Sequence, residues 1–159
     1  MNKDMCVACD DGILNIRVGA IIMKEGKILM AGNQRADYLY SVGGRIQFGE
    51  TAEEAVVREV LEETGVRLEI DRLGFLHENY FYGEAPANRG KLIYEISLYF
   101  YMKVPSDFAP VSNSFTEDHC VEFLKWVSPD EDTTMYPAFF KTELTKPADT
   151  VKHFVTDMR

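Results

Sequence analysis

From Ile13 to Met23 and from Lys27 to Ala31, β-branched and other apolar residues alternate with polar ones. That period of two is the mark of half-buried strands, and Glu25-Gly26 between the runs predicts a hairpin turn. Tyr38 to Val42 reads as a further short strand entering Gly43-Gly44, where the backbone is free to turn sharply. The pattern then changes. Thr51-Ala52-Glu53-Glu54 is a capping box, Gly65 suits a left-handed stop, and strong helix formers lie between, so a helix is predicted over about 51–64. Val66 to Tyr82 and Leu92 to Val104 are β-like and flank a loop, Glu84 to Lys91, that holds Pro86, Asn88 and Gly90, which predicts a long hairpin. Pro105 to Thr116 has turn residues and little periodicity. Val121 to Val127, with the single Trp126, resumes as a strand, and Pro137 opens a second predicted helix over Ala138 to Leu144. The class is mixed α and β.

Length and composition narrow the picture. A chain of 159 residues, 46% hydrophobic, 27% charged and 12% aromatic, is expected to form one domain, 1–159, with its own core. The longest apolar runs, Val18 to Met23 and Ile96 to Met102, fall far short of the roughly 18 to 20 residues that span a bilayer, so no membrane partner is expected. Met1 to Gly12 contains no apolar stretch of the secretory kind, and the expected location is cytoplasmic. Cys6, Cys9 and Cys120 are an odd set without a disulfide framework, and the Cys6/Cys9 pair lacks the further ligands of a zinc site, so it reads as incidental. The net charge of −9 disfavours a grip on DNA or RNA. A phosphate ligand would need cations placed locally to offset that charge.

Such a place exists between Gly44 and Val66, where the chain reads GRIQFGETAEEAVVREVLEETGV. Glu59, Glu62 and Glu63 stand at i, i+3 and i+4, within roughly 100° of arc on one helix face. Two such charges about 6 Å apart repel by roughly 3 kcal/mol at an effective dielectric of about 20, which solvent relieves in part and a cation relieves further. A solvated Glu face would account for each residue singly. The run has no Lys, however, and lies beside a glycine turn whose carbonyls can complete an oxygen shell for a hard cation such as Mg²⁺.

The same segment resembles, position for position, the signature of Nudix hydrolases, Gx5Ex7REUxEExGU with U aliphatic. Gly44, Glu50, Arg58, Glu59, Val60, Glu62, Glu63, Gly65 and Val66 fill its fixed places. A chance match is on the order of 10⁻⁹ per starting position. Val42 stands where many members carry proline. The resemblance implies an α/β/α sandwich around a mixed β-sheet over nearly the whole chain. It also implies Mg²⁺-dependent hydrolysis, with Mn²⁺ as a substitute, of a nucleoside diphosphate linked to another moiety, by water attack at phosphorus. Glu59, Glu62, Glu63 and the Gly44 carbonyl resemble the metal ligands, and Arg58 with Glu50 resembles the supporting pair. Glu63 is one candidate for the base, and Glu117 or Asp118, in the loop before the late strand, is the other. His77 and His119 read as structural.

Substrate selection is expected outside the motif, where Tyr80-Phe81-Tyr82, Tyr94 and Phe115 are aromatic, and Tyr80 and Tyr82 are the candidates for it. The position of Tyr82 resembles that of a tyrosine in diadenosine polyphosphate hydrolases. Dinucleoside polyphosphates, nucleotide sugars and nucleoside triphosphates remain open as substrates. The alternative reading is a catalytically silent, nucleotide-sensing Nudix-like domain. The partner is expected to be a small-molecule nucleotide derivative, and a homodimer is compatible with the sequence.

Overall fold

A computed structural model describes residues 3–112 and 119–159. In chain order the strands are β1 (Cys6–Cys9), β2 (Gly12–Ile21), β3 (Met23–Lys24), β4 (Lys27–Asn33) and β5 (Leu39–Arg45), followed by helix α1 (Ala52–Thr64). Then come β6 (Glu69–Tyr82), β7 (Leu92–Lys103), β8 (Glu122–Val127), β9 (Met135–Tyr136), the short helix α2 (Phe140–Glu143) and β10 (Lys152–Asp157). They form one mixed sheet in the order β10-β6-β7-β2-β5-β4-β3, with β1 on β2, β8 on β4 and β9 on β5.

The hairpin at Glu25-Gly26 forms, both residues taking positive φ (53° and 77°) as a tight two-residue turn requires. The long β6–β7 hairpin is antiparallel, with register shifts between Ile70 and Arg72 and between Leu73 and Phe75. β2 lies parallel to β7 over its whole length, from Gly12↔Leu92 to Ile21↔Tyr101. β5 changes neighbour along its length, pairing Tyr40 and Ser41 with β4 and Val42 to Arg45 with β2. The glycine turn therefore sits where the sheet passes from one half to the other.

Two cores lie on opposite faces of the sheet. On one, α1 packs Ala55, Val56 and Val60 against Val18, Ala20, Val42 and Phe100. On the other, Ile21, Met30, Phe75, Tyr99 and Tyr101 meet Met135, Phe140 and Leu144. The helix predicted over Ala138 to Leu144 is here only four residues, Phe140–Glu143, and the far layer is completed by aromatic side chains such as Phe139 stacked on Phe154. β1 and β10 were not expected. β10 adds itself in parallel to β6, the kind of long-range pairing that leaves no local signature in sequence.

Candidate active site

Helix α1 has the ends its sequence calls for. The Thr51 hydroxyl accepts from Glu54 N–H while the Glu54 carboxylate accepts from Thr51 N–H, and Gly65 closes the helix at φ 73°. With Ala55, Val56, Val60 and Thr64 buried against the sheet, the position of Glu59, Glu62 and Glu63 around the helix follows. Glu59 is turned inward, its side chain 13% exposed, whereas that of Glu62 is 57% exposed.

Arg58 organises the outer half of this cluster. Its Nε donates to Glu50 Oε2 at 3.0 Å and its Nη2 to Glu50 Oε1 at 2.5 Å, a bidentate fork, and Nη2 also donates to the Arg45 carbonyl at 3.1 Å. Nη1 donates to Glu59 Oε1 at 2.7 Å and reaches Glu62 Oε2 at 3.4 Å. The fork holds Glu50 below the usual carboxylate range. Glu50 also accepts from Gln47 N–H at 2.8 Å, so this pair ties the glycine loop to the helix. Burial, by contrast, pushes Glu59 up, against the opposing pull of Arg58.

Glu63 lies deeper, and its Oε2 accepts from Gly43 N–H at 3.2 Å. Burial, then the charges of Glu122 and Glu59, push its carboxyl up to about 9, with Gly43 N–H and Arg17 pulling the other way. Glu122 comes from β8, placed by the Asn33↔Glu122 pairing with β4, and it accepts a short hydrogen bond from the Tyr40 hydroxyl. Asn33 in turn donates to that hydroxyl at 3.3 Å while its Oδ1 caps the N–H groups of Arg35 and Ala36. Burial and then Glu122 hold the Tyr40 phenol well above its ordinary range.

The donor set is one of hard oxygens, and the backbone makes room for it. A β-carbon on Gly44 would lie 2.4 Å from the Glu59 carboxyl, so only glycine lets that group settle against the strand. Among the described residues no three carboxyl groups converge as a cation cage. Arg58 Nη1 stands between Glu59 and Glu62 and supplies the positive charge there.

The NUDIX domain family matches this chain over residues 14–142. The chain belongs to the NUDIX family. A MutT-like protein of Streptomyces ambofaciens is 28% identical over 113 residues, which is 71% of this chain and 62% of that protein, so the chain spans less than two thirds of that relative's length. The Mutator MutT protein from Bacillus halodurans shares the fold at a TM-score of 0.65 and 21% identity, covering 91% of this chain and 93% of its own. The MutT NUDIX hydrolase from Burkholderia pseudomallei does so at 0.62 and 23%, covering 85% and 98%.

In this NUDIX domain Arg58 joins Glu50, Glu59 and Glu62, Glu59 rests against Gly44, Glu63 binds the neighbouring Gly43 N–H, and Glu122 with Tyr40 approaches Glu63 from outside the motif. Sequence reasoning passed over Glu122, although it shares the inward face of β8 with Leu124 and Trp126, a position where alternation calls for an apolar residue. Glu117, Asp118 and Phe115 lie outside the described residues. Tyr80 and Tyr82 are not brought to the cluster. Tyr80 stacks on Tyr94 at 4.3 Å beneath the Arg159 guanidinium, and Tyr82 is 52% exposed at the far end of β6. By register, Tyr80 lies three residues along the strands from the level of Arg17, about 10 Å, and two strands across. His77 is buried against Phe139, with Nε2 2.8 Å from the Thr156 hydroxyl, as a structural histidine would be. Cys6 and Cys9 are free thiols on β1.

Proposed function

We propose that this chain is a divalent-cation-dependent pyrophosphohydrolase that cleaves a nucleoside diphosphate linked to another moiety. The observation that carries the reading is the packing of the Glu59 carboxyl into the space where a Gly44 β-carbon would stand, beside the half-buried Glu63. Arg58 offsets the charge of Glu59 and Glu62 in part, and a further cation would relieve the crowding of acidic oxygens against the glycine strand. Glu59, Glu62, Glu63 and the Gly44 carbonyl would hold that cation, for which Mg²⁺ is the hard-oxygen choice. A cation there supplies neutralisation of the diphosphate oxygens and a more acidic water.

The chain's own residues do the positioning. Arg58, gripped by Glu50, fixes the angle of the helix carboxylates to the glycine turn, and Glu59 and Glu62 would exchange its Nη1 for a bound cation. The Glu122 charge lies close enough to raise the proton affinity of Glu63, and either carboxyl group can take a proton from an attacking water. Tyr40 keeps Glu122 oriented. The acidic surface favours small nucleotide derivatives over nucleic acid.

The test is product release from a panel of dinucleoside polyphosphates, nucleotide sugars and nucleoside triphosphates, with Mg²⁺ and with excess EDTA. Cation-dependent release of a nucleoside monophosphate or inorganic pyrophosphate is expected. Tight binding with no turnover of any compound would favour a silent nucleotide sensor.

A further inference from the structure

One face of β2 carries polar residues where its alternation calls for apolar ones. Asn15 and Arg17 share that face with Gly19 and with core residue Ile21. The parallel register sets Glu95 beside Asn15 and Ser97 beside Arg17 on β7, and β6 continues the two rows with Asn79 and His77. A polar patch thus interrupts a sheet face that is otherwise core.

The patch is not satisfied from within. Asn15 is 5% exposed, and its Nδ2 donates a long 3.4 Å bond to Glu95 Oε2 while its Oδ1 is buried without a partner. Arg17 is half-buried, and among the described residues its guanidinium closes no hydrogen bond or ion pair. Burial works against its charge, yet Glu95, Tyr99, Glu63 and Glu59 outweigh that and hold the guanidinium firmly protonated. Gly19 and Gly43 pair directly, the Tyr99 ring fills the space over Gly19, and the Glu63 carboxyl accepts from Gly43 N–H two residues along from the level of Arg17. Arg17 is therefore a permanent cation on the sheet face away from α1, close enough to the glycine turn to feel the Glu63 and Glu59 charges, with its donors unspent.

We propose that Arg17 is a phosphate-binding residue of this site, its fork taking the oxygens of the substrate phosphate that lies away from the helix carboxylates. The inference rests on the diphosphate reading above. A diphosphate held at one end through a cation keeps uncompensated oxygens at the other, and a guanidinium matches two of them at once. The rival role is structural: Arg17 as the counter-ion of Glu95.

Calorimetric titration of the full chain with imidodiphosphate, a hydrolysis-resistant diphosphate, in the presence of Mg²⁺ separates the two roles. Arg17→Gln is expected to weaken binding about tenfold or more, the loss typical of hydrogen bonds to a charged group, and Arg17→Lys to weaken it less. Glu95→Gln should leave binding equal or tighter, because a negative neighbour of the anion is removed, and Arg17→Gln with Glu95→Gln should stay weak. Unchanged binding in Arg17→Gln, or recovery in the double variant, overturns the proposal and leaves Arg17 as the partner of Glu95. Should Arg17→Gln fail to fold, Glu95→Gln decides, since weaker binding there overturns it. A wild-type chain that does not bind imidodiphosphate at all overturns the diphosphate reading itself, and this inference with it.

Discussion

The carboxyl group of Glu59 occupies the volume that any side chain at Gly44 would claim, 2.4 Å from the place of its β-carbon. Gly44→Ala must therefore expel Glu59 from the strand and break its 2.7 Å bond with Arg58. The displaced group is the far end of a flexible side chain, so the cost falls on geometry more than on stability. The expected result is a melting temperature lowered by no more than a few degrees and turnover lowered by about 100-fold or more, as for catalytic groups misplaced by an ångström. Turnover near wild type would show that the seating of Glu59 against Gly44 is incidental.

Glu50 and Arg58 give a prediction with a definite pH sign. The Arg58 fork holds Glu50 below the usual carboxylate range, so the stability it contributes is present above the unfolded value of 4.5 and is lost as pH falls through the lower folded value. The side chains are 16% and 24% exposed, which limits screening. Glu50→Gln is expected to cost about 1 to 3 kcal/mol at pH 7. That difference from wild type should shrink to nothing in the acid range. Urea unfolding of both proteins at pH 7, 4 and 3 measures it, and a difference independent of pH would reject the ion pair as its source.

Glu63→Gln keeps size and leaves an acceptor for Gly43 N–H, so the fold should survive while cation binding and turnover are lost, the latter by about 100-fold or more. In the wild type, Mg²⁺ at 100 times its dissociation constant should add about 2.7 kcal/mol to stability, with NaCl at matched ionic strength adding much less. The increment should vanish in Glu63→Gln. Equal melting curves for the wild type in Mg²⁺ and in matched NaCl would mean that no cation site exists in the folded chain.

His77 makes stability fall on mild acidification. Burial, with His153 adding to it, lowers its pKa from 6.5 to about 4. Above pH 6.5 neither state is protonated there and nothing is lost. Between 6.5 and 4 the unfolded chain takes up a proton that the folded chain refuses, so folding weakens by up to about 3 kcal/mol and then levels off. His77→Gln should remove this component, so the gap between variant and wild type should close or reverse from pH 7 to pH 4.5 in denaturant titrations. Parallel pH profiles would assign the acid sensitivity elsewhere.

What could be read from the chain alone was short in range. The capping box at Thr51 and Glu54, the left-handed Gly65, the hairpin at Glu25-Gly26 and the gathering of Glu59, Glu62 and Glu63 on one face all follow from contacts within about one turn. Of these, Glu59, Glu62, Glu63 and Gly65 also belong to the family signature, and with it come the class of fold and the heart of the candidate site. Tertiary structure decided what depends on register between distant strands. The Asn33↔Glu122 pairing brings Glu122 and Tyr40 to Glu63 from far along the chain, and the parallel β2–β7 pairing sets Glu95 beside Asn15 and Arg17. It also sent Tyr80 to a stack with Tyr94 and added β10 to the edge of β6. A helix states its own geometry in a few residues. Strand register is settled only when whole faces are buried together, and a shift of one residue would turn Arg17 onto the face that packs α1 and Val18 away from it.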